Sequence, residues 1–372
     1  VFSMSKRGDK IHKRSDGRWE GRYISGRSDS GKAVYKSVYA RSYSECSDKL
    51  RLAKCDLLPV SKPITVSEVF SAWLLSRKNR VKQSTYVNYM TLYDSYVSGK
   101  LGAKRVDGLN AFMLDRFADE LMHSGGRKGN GLSAVTVQAV MIILRSVLEY
   151  GALEYGLPDP AKNISMPKTE SSEIQLFNAF EISKMRSVAL WGDSYELGIL
   201  LSLFTGLRIG ELCALTWSDI DLVGQVIYVK KTLFRIKNPA GAVPKTIVVI
   251  DVPKSKKSVR VIPIPTFMLS ALAKLKRGQP DHNYFLTGSA DHTEPRTYSS
   301  RYRSFLKRLS IPYRKFHSLR HTFATECVKS GVDIKSLSEL LGHSSVKITL
   351  EKYVHSDIEL KRRELEKLCA SI

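Results

Sequence analysis

Acidic residues are scarce in this chain of 372 residues: 36 Asp and Glu stand against 59 Lys and Arg, a formal net charge of +23. No Asp/Glu cluster suited to Mg²⁺ occurs, and no phosphate-binding G-x-x-x-x-G-K-S/T loop, which points away from metal-dependent nucleases and P-loop ATPases. The five cysteines (46, 55, 213, 327 and 369) are odd in number and form no C-x-x-C pair. That excludes a disulfide framework or a structural zinc site and fits a reducing cytoplasm. The opening VFSMSKRGDK lacks the apolar core of a signal peptide. No run of about 18 apolar residues is found, so no membrane span is expected.

What is abundant is positive charge, and it is spread out. Residues 1–62 hold 15 basic and 7 acidic residues, 63–168 hold 13 and 9, and 169–372 hold 31 and 20. Such an excess favours a polyanion contacted along the whole chain, nucleic acid above all. The length implies two or three domains. Residues 1–58 read as a small β-sheet-plus-helix module. RWEGRYI and AVYKSVYA alternate as strands around the turn-forming SDSGK, and Ser42 to Glu45 is a capping box opening a helix. Trp19, Tyr23, Tyr35 and Tyr39 interleave with Arg18, Arg22, Lys32 and Lys36. Either the aromatics are core and the bases solvated, or a basic sheet reads a DNA groove.

Pro59 to Pro63 reads as a linker. Residues 63–158 then read as an all-α domain of four helices, the first started by a capping box at Thr65–Glu68 with Val69, Phe70, Trp73 and Leu74 on one face. Lys78, Lys82 and Lys104, near helix ends, are candidate phosphate contacts. Pro158 to Glu173, with three prolines, reads as a second linker. From 173 to 372 a mixed α+β domain is expected. Asn178 and Glu181 cap its first helix, and two helices between Leu197 and Leu215 break at Thr205-Gly206. Strands follow near 225–235, 246–252 and 258–264, then helices at 266–277 and 297–309. The tail 356–369 is a charged amphipathic helix.

The chemistry concentrates between His317 and His355, in HSLRHTFATECVKSGVDIKSLSELLGHSSVKITLEKYVH. At about 100° per residue, Leu319, Phe323, Ala324, Cys327 and Val328 share one flank, leaving Thr322, Glu326 and Lys329 on the other. Arg320 falls within the apolar flank, with His317 and His321 at its border. A guanidinium there needs an anionic partner or a cleft. Gly331 and Gly342 end helices, Asp333 caps one, and Ser344 or Ser345 caps the short helix carrying Tyr353. Upstream, Arg208 and Glu211 sit three apart beside Leu212 and Leu215, and Lys254, Lys256 and Lys257 crowd a hairpin. Arginines clamp phosphate, histidines donate or shuttle protons, and donors aimed at a phosphoryl transition state lower its barrier. Without carboxylates for a metal, a side-chain nucleophile fits better than an activated water. His317 and His321 are not a zinc pair, because H-S-L-R-H lacks the Glu of H-E-x-x-H and places an arginine between them.

TGLRIGEL, PKSKKSVRVIPI, HSLRHTFAT, LGHSS and then Tyr353 ten residues past His343 resemble, in content and order, the tyrosine recombinase (phage integrase) family. The match spans about residues 174–360. The N-terminal portions resemble the arm-type DNA-binding module and helical core-binding domain of conjugative-transposon integrases. The resemblance implies Arg208 and Arg320 as phosphate clamps, His317 and His343 as transition-state donors, Lys254 as general acid and Tyr353 as the nucleophile of a 3′-phosphotyrosyl bond. Glu211 and His321 are implied as supporting residues. Lys256 and Lys257 share the turn with Lys254, so the acid's identity stays open among them. The family implies strand exchange through a Holliday junction by a DNA-bound homotetramer. No metal or other cofactor and no membrane are involved, and there is room for an accessory excision factor. Two alternatives are a type IB-like topoisomerase and a non-catalytic DNA-binding regulator.

Overall fold

Helices begin where the sequence supplies caps. Thr65 Oγ1 accepts from Glu68 N while the Glu68 carboxylate accepts from Thr65 N at 2.7 Å, and Asn178 and Glu181 make the same reciprocal pair at 2.9 and 3.0 Å. At Ser42 the box is shifted: its hydroxyl accepts from Glu45 N, but Glu45 reaches back to Arg41 N. The structure is a computed structural model that describes residues 11–27, 33–55, 64–126, 129–162, 164–169, 175–239, 243–252, 258–353 and 366. Lys254, Lys256 and Lys257 lie outside the described residues. So do the turn 28–32, the linker 59–63 and the tail 356–369 apart from Glu366. The chain forms two compact units, Val1–Ser171 and Ser172–Ile372.

In the first unit, β1 (Ile11–Lys13), β2 (Trp19–Arg27) and β3 (Ala33–Ala40) make an antiparallel sheet in the order β1-β2-β3, followed by α1 (Tyr43–Cys55). Period-two alternation decides the fate of the aromatics. The register pairs Glu20 with Tyr39, Arg22 with Ser37 and Ile24 with Tyr35, on one face. That face is solvent-exposed, and Tyr35 and Tyr39 are 53% and 42% accessible. Arg22 lies over the Tyr35 ring, and Arg14 and Arg18 over that of Tyr39. The opposite face carries Gly21, where an added Cβ would meet Leu50 and Cys46 of α1 at 3.2–3.3 Å. Lys36, paired with Tyr23, falls on that side.

The all-α part comprises α2 (Val66–Arg77), α3 (Gln83–Leu92), α4 (Ala111–Ser124) and α5 (Ala134–Tyr155). Instead of ending, α3 runs on as a π-helical stretch, Tyr93–Gly102, whose Tyr93 ring stacks on Phe70 at 3.5 Å. By length and composition α5 could cross a membrane. Its apolar residues Val137, Val140, Met141, Leu144 and Leu148 instead form the bundle core. The expected linker after Pro158 begins later than read. Ala161 and Ile164 are buried in that core, and Arg145 and Gln138 donate to the carbonyls of Ala161, Ile164 and Pro167. Proline content marked an extended strap, held down by α5, and not a free tether.

In the second unit α6 (Ala179–Ala189) precedes α7 (Ser194–Thr205), which is apolar on nearly every side and therefore central. Then come α8 (Ile209–Cys213), β4 (Ile220–Asp221), β5 (Val226–Val229), β6 (Thr232–Lys237), β7 (Thr246–Asp251) and β8 (Arg260–Pro263). The strand expected near 225–235 is two strands in different sheets: β5 lies between β4 and β8, while β6 and β7 pair as a separate hairpin. The chain closes with α9 (Leu269–Lys276), α10 (Pro295–Arg308), α11 (His317–Lys329), α12 (Ile334–Leu341) and α13 (Val346–Tyr353). Asp333 caps α12 and Ser345 the start of α13. Thr322, expected on the outer flank of α11, is buried, because its hydroxyl accepts from Phe177 N.

Candidate active site

The C-terminus of α12 is where the site is assembled. A helix end leaves carbonyls without intrahelical partners and carries partial negative charge. Here three successive carbonyls each take a guanidinium from a different element. Arg260 Nε of β8 donates to Leu340 O at 2.6 Å, Arg320 Nη2 of α11 to Leu341 O at 2.5 Å, and Arg208 Nη2 to Gly342 O at 3.4 Å. Arg320 Nη1 also donates to Gly206 O at 2.7 Å. Gly206 ends α7 at φ +68°, and a Cβ there would strike Phe323 and Leu341 below 3 Å. Glycine is required there by conformation and by space.

Glu211 is the carboxylate of this network. Arg208 N and Nη1 donate to it at 2.9 and 2.7 Å, and Arg260 Nη1 and Nη2 at 3.0 and 2.9 Å. Burial alone would raise its pKa. The Arg260 hydrogen bonds and charge, with Arg208, overcome that and hold it at about 2. Because the folded value lies below the ordinary 4.5, the stability Glu211 contributes is complete above pH 4.5 and lost as pH falls toward 2. Chemical denaturation of the chain from pH 6 to pH 2 is expected to show a loss on the order of 3 kcal/mol from this group, absent in Glu211→Gln.

Arg320 is 1% exposed. Burial first, then the charges of Arg208 and Arg260, push it down to about 9. Among the described residues three guanidiniums surround one carboxylate, a local excess of positive charge that a bound oxyanion relieves. Orthovanadate is expected to stabilise the chain, by about 2.7 kcal/mol at a hundred times its Kd. Thermal melting at matched ionic strength checks this; a shift no larger than that from chloride contradicts it.

Around the arginines stand the aromatic groups. Tyr353, the last residue of α13, is buried against Ala324, Leu337 and Leu341. Its hydroxyl is 2.8 Å from His321 Nδ1. Burial raises the phenol's pKa, while Arg320 and Arg208 oppose the rise. The His343 ring lies parallel to Tyr353 at 6.4 Å, and its Nδ1 is 2.8 Å from Thr349 Oγ1. His317, exposed at the start of α11, meets His321 edge-on at 4.6 Å. Beside it an open cavity of about 620 Å³ is lined by Arg208, His317, Phe234, Arg235, Glu294 and Arg296. Among the described residues no group of three or more His, Cys, Asp or Glu is placed to hold a metal ion.

Arg208, Glu211, His317, Arg320, His321, His343 and Tyr353 are thus gathered in one unit. Sequence reasoning missed Arg260. Its signal was parity: Arg260 shares the inward side of β8 with Ile262, and Ile264 just beyond continues the pattern, all buried. Of the nucleic-acid candidates, Lys78 at the end of α2 and Lys82 at the start of α3 neighbour one another. Lys104, whose carbonyl takes Val66 N at the other end of α2, is about 18 Å away along that helix. Arg18 and Arg22 lie over exposed tyrosines, and Lys36 is on the other face.

The family model described as phage integrase family matches residues 169–359. The chain is 30% identical to a tyrosine recombinase XerC-like protein of Caldanaerobacter subterraneus subsp. tengcongensis, over 92% of this chain and 93% of that one. The fold is that of the Tn1549 transposon integrase fragment solved with a circular intermediate DNA (TM-score 0.67, 22% identity, 82% of this chain and 99% of that one). It also matches lambda integrase, solved as a tetramer bound to a Holliday junction (TM-score 0.54, 18% identity, 95% and 99%). The chain belongs to the phage integrase family: it is a tyrosine-type site-specific recombinase, an enzyme that cleaves and rejoins DNA strands.

Proposed function

We propose that the chain is the integrase of a mobile element and that Tyr353 is its nucleophile. The phenol oxygen attacks a DNA phosphorus, the P–O5′ bond breaks, and a 3′-phosphotyrosyl link and a free 5′-hydroxyl result. Rejoining is the reverse, with a 5′-hydroxyl from the partner strand. Arg208 and Arg320 hold the non-bridging oxygens. His317 and His343 donate to the same oxygens. Lys254, assigned from sequence, protonates the leaving 5′-oxygen.

One observation carries this reading: a buried tyrosine whose hydroxyl stands on His321 Nδ1 in the field of Arg208 and Arg320. The three-domain division at 1–58, 63–158 and 173–372, and arm and core contacts through Arg18, Arg22, Lys36, Lys78, Lys82 and Lys104, belong to the same proposal. So do double-stranded DNA as partner, a homotetramer on a Holliday junction, an accessory excision factor and a cytoplasmic, nucleoid-associated site of action. The Tn1549 and lambda complexes support the DNA and the tetramer.

The test is to denature the wild-type chain during reaction with DNA of its source, then sequence the trapped DNA end and identify the linked peptide. The expected adduct is on Tyr353, at a 3′-phosphate, and forms equally in EDTA. A link to another side chain, or no adduct once metal is chelated, overturns the reading.

A further inference from the structure

Attack by Tyr353 requires that its phenol lose a proton. The ordinary phenol pKa is near 10, and burial moves this one further from neutrality. Glu211, the nearby carboxylate, already accepts four hydrogen bonds from Arg208 and Arg260 and is too weak a base at about 2. Arg208 and Arg320 stabilise a phenolate but accept no proton. His343 lies ring-parallel to Tyr353 at 6.4 Å, with its Nδ1 directed to Thr349 Oγ1. His321 Nδ1 is 2.8 Å from the phenol oxygen.

We propose that His321 is the general base for Tyr353, with His317 as the proton's outlet. The geometry is that of a base in contact with the nucleophile: the acceptor is within hydrogen-bond reach, and the residue is buried. Acceptance at Nδ1 requires the tautomer protonated at Nε2. His321 touches His317 edge-on at 4.6 Å, and His317 is exposed to solvent. Burial disfavours an isolated imidazolium. In the transfer, however, the imidazolium forms next to a phenolate, so the pair is neutral overall and the arginines hold the anion.

In the forward step Tyr353 Oη loses its proton to His321 Nδ1, the Oη–P bond forms and the P–O5′ bond breaks. The leaving oxygen is protonated by a separate acid. On rejoining, a 5′-hydroxyl gives its proton back to that acid's conjugate base, the O5′–P bond forms, the P–Oη bond breaks and Oη takes its proton from protonated His321. This inference rests on Tyr353 being the nucleophile. It goes beyond a supporting role for His321 because it assigns a proton.

Single-turnover cleavage by the full chain, followed from pH 5.5 to 9.5, tests it. Wild type is expected to rise with pH and level off once His321 is deprotonated, below the range of the phenol. His321→Gln, which keeps a polar contact but cannot take the proton, is expected to be slower by about 10²–10⁴-fold at neutral pH. Its rate should climb without a plateau toward the phenol's own pKa, with DNA affinity unchanged. A slower variant that keeps the wild-type plateau makes His321 merely structural. A faster one makes it a restraint on Tyr353. Either overturns the proposal.

Should H321Q not fold, the chain bearing a fluorinated, more acidic tyrosine at 353 decides the matter. Its plateau is expected to stay where the wild type's lies, whereas an inflection that moves down with the phenol's pKa removes His321 from the reaction. Absence of any adduct at Tyr353 in wild type counts against the nucleophile, a separate failure.

Discussion

Replacing Tyr353 by Phe is expected to abolish the covalent protein–DNA adduct, lowering strand cleavage by a factor on the order of 10⁴ or more. DNA affinity should be unchanged, because the arginines proposed to meet phosphate remain. The ring stays, so the packing against Ala324, Leu337 and Leu341 is retained. What is lost in the fold is one hydrogen bond, leaving His321 without its 2.8 Å partner, a cost of about 1 kcal/mol. The melting temperature is therefore expected to move by only a few degrees. Gel-shift titration, SDS-resistant adduct formation and thermal melting separate the three quantities. Full cleavage by Y353F removes Tyr353 from the chemistry.

The second large effect is on stability. Glu211→Leu removes the carboxylate that Arg208 and Arg260 share, leaving guanidiniums crowded in the interior with Arg320. Breaking a buried pair from one side costs roughly 3–5 kcal/mol. For a unit of this size that corresponds to a fall of roughly 10 °C in Tm. Arg260→Met should cost less, because Glu211 keeps both of its bonds from Arg208 and the buried charge falls. The ordering is the informative result. If R260M is the more damaging of the two, the carboxylate is not what holds the cluster together. Both variants are expected to cleave poorly, since each loosens the carbonyls before His343.

A site for an anionic substrate was legible because it is written in residues that break the local pattern, and recombination was legible only through the family resemblance of five motifs in order. An arginine at 320 on an apolar flank, Arg208 and Glu211 on the buried side of α8, and histidines at fixed intervals each break the local pattern for a reason a sequence reader can name. The helix starts were legible because capping boxes are local: Thr65 with Glu68 and Asn178 with Glu181 need no tertiary information. Long-range partners were not legible. Nothing in SVRVIPI says that Arg260 meets Glu211, 49 residues earlier, although strand parity puts it inward with Ile262. Sheet membership was equally hidden: the apolar run from Val226 splits between two sheets, and β8 pairs back to β5. The strap after Pro158 was misread because prolines signal extension equally well for a tether and for a segment pinned by Arg145 and Gln138.

The carbonyls of Leu340, Leu341 and Gly342 are gripped by residues 80, 21 and 134 positions distant. Each grip closes a loop, two of them long, and long loops close late in folding. A nascent or half-unravelled polypeptide therefore has the basic side chains that attract a chromosome but lacks the arrangement that severs it. For a cell, that is a safeguard against stray nicks: competence to cut arrives only with the finished fold.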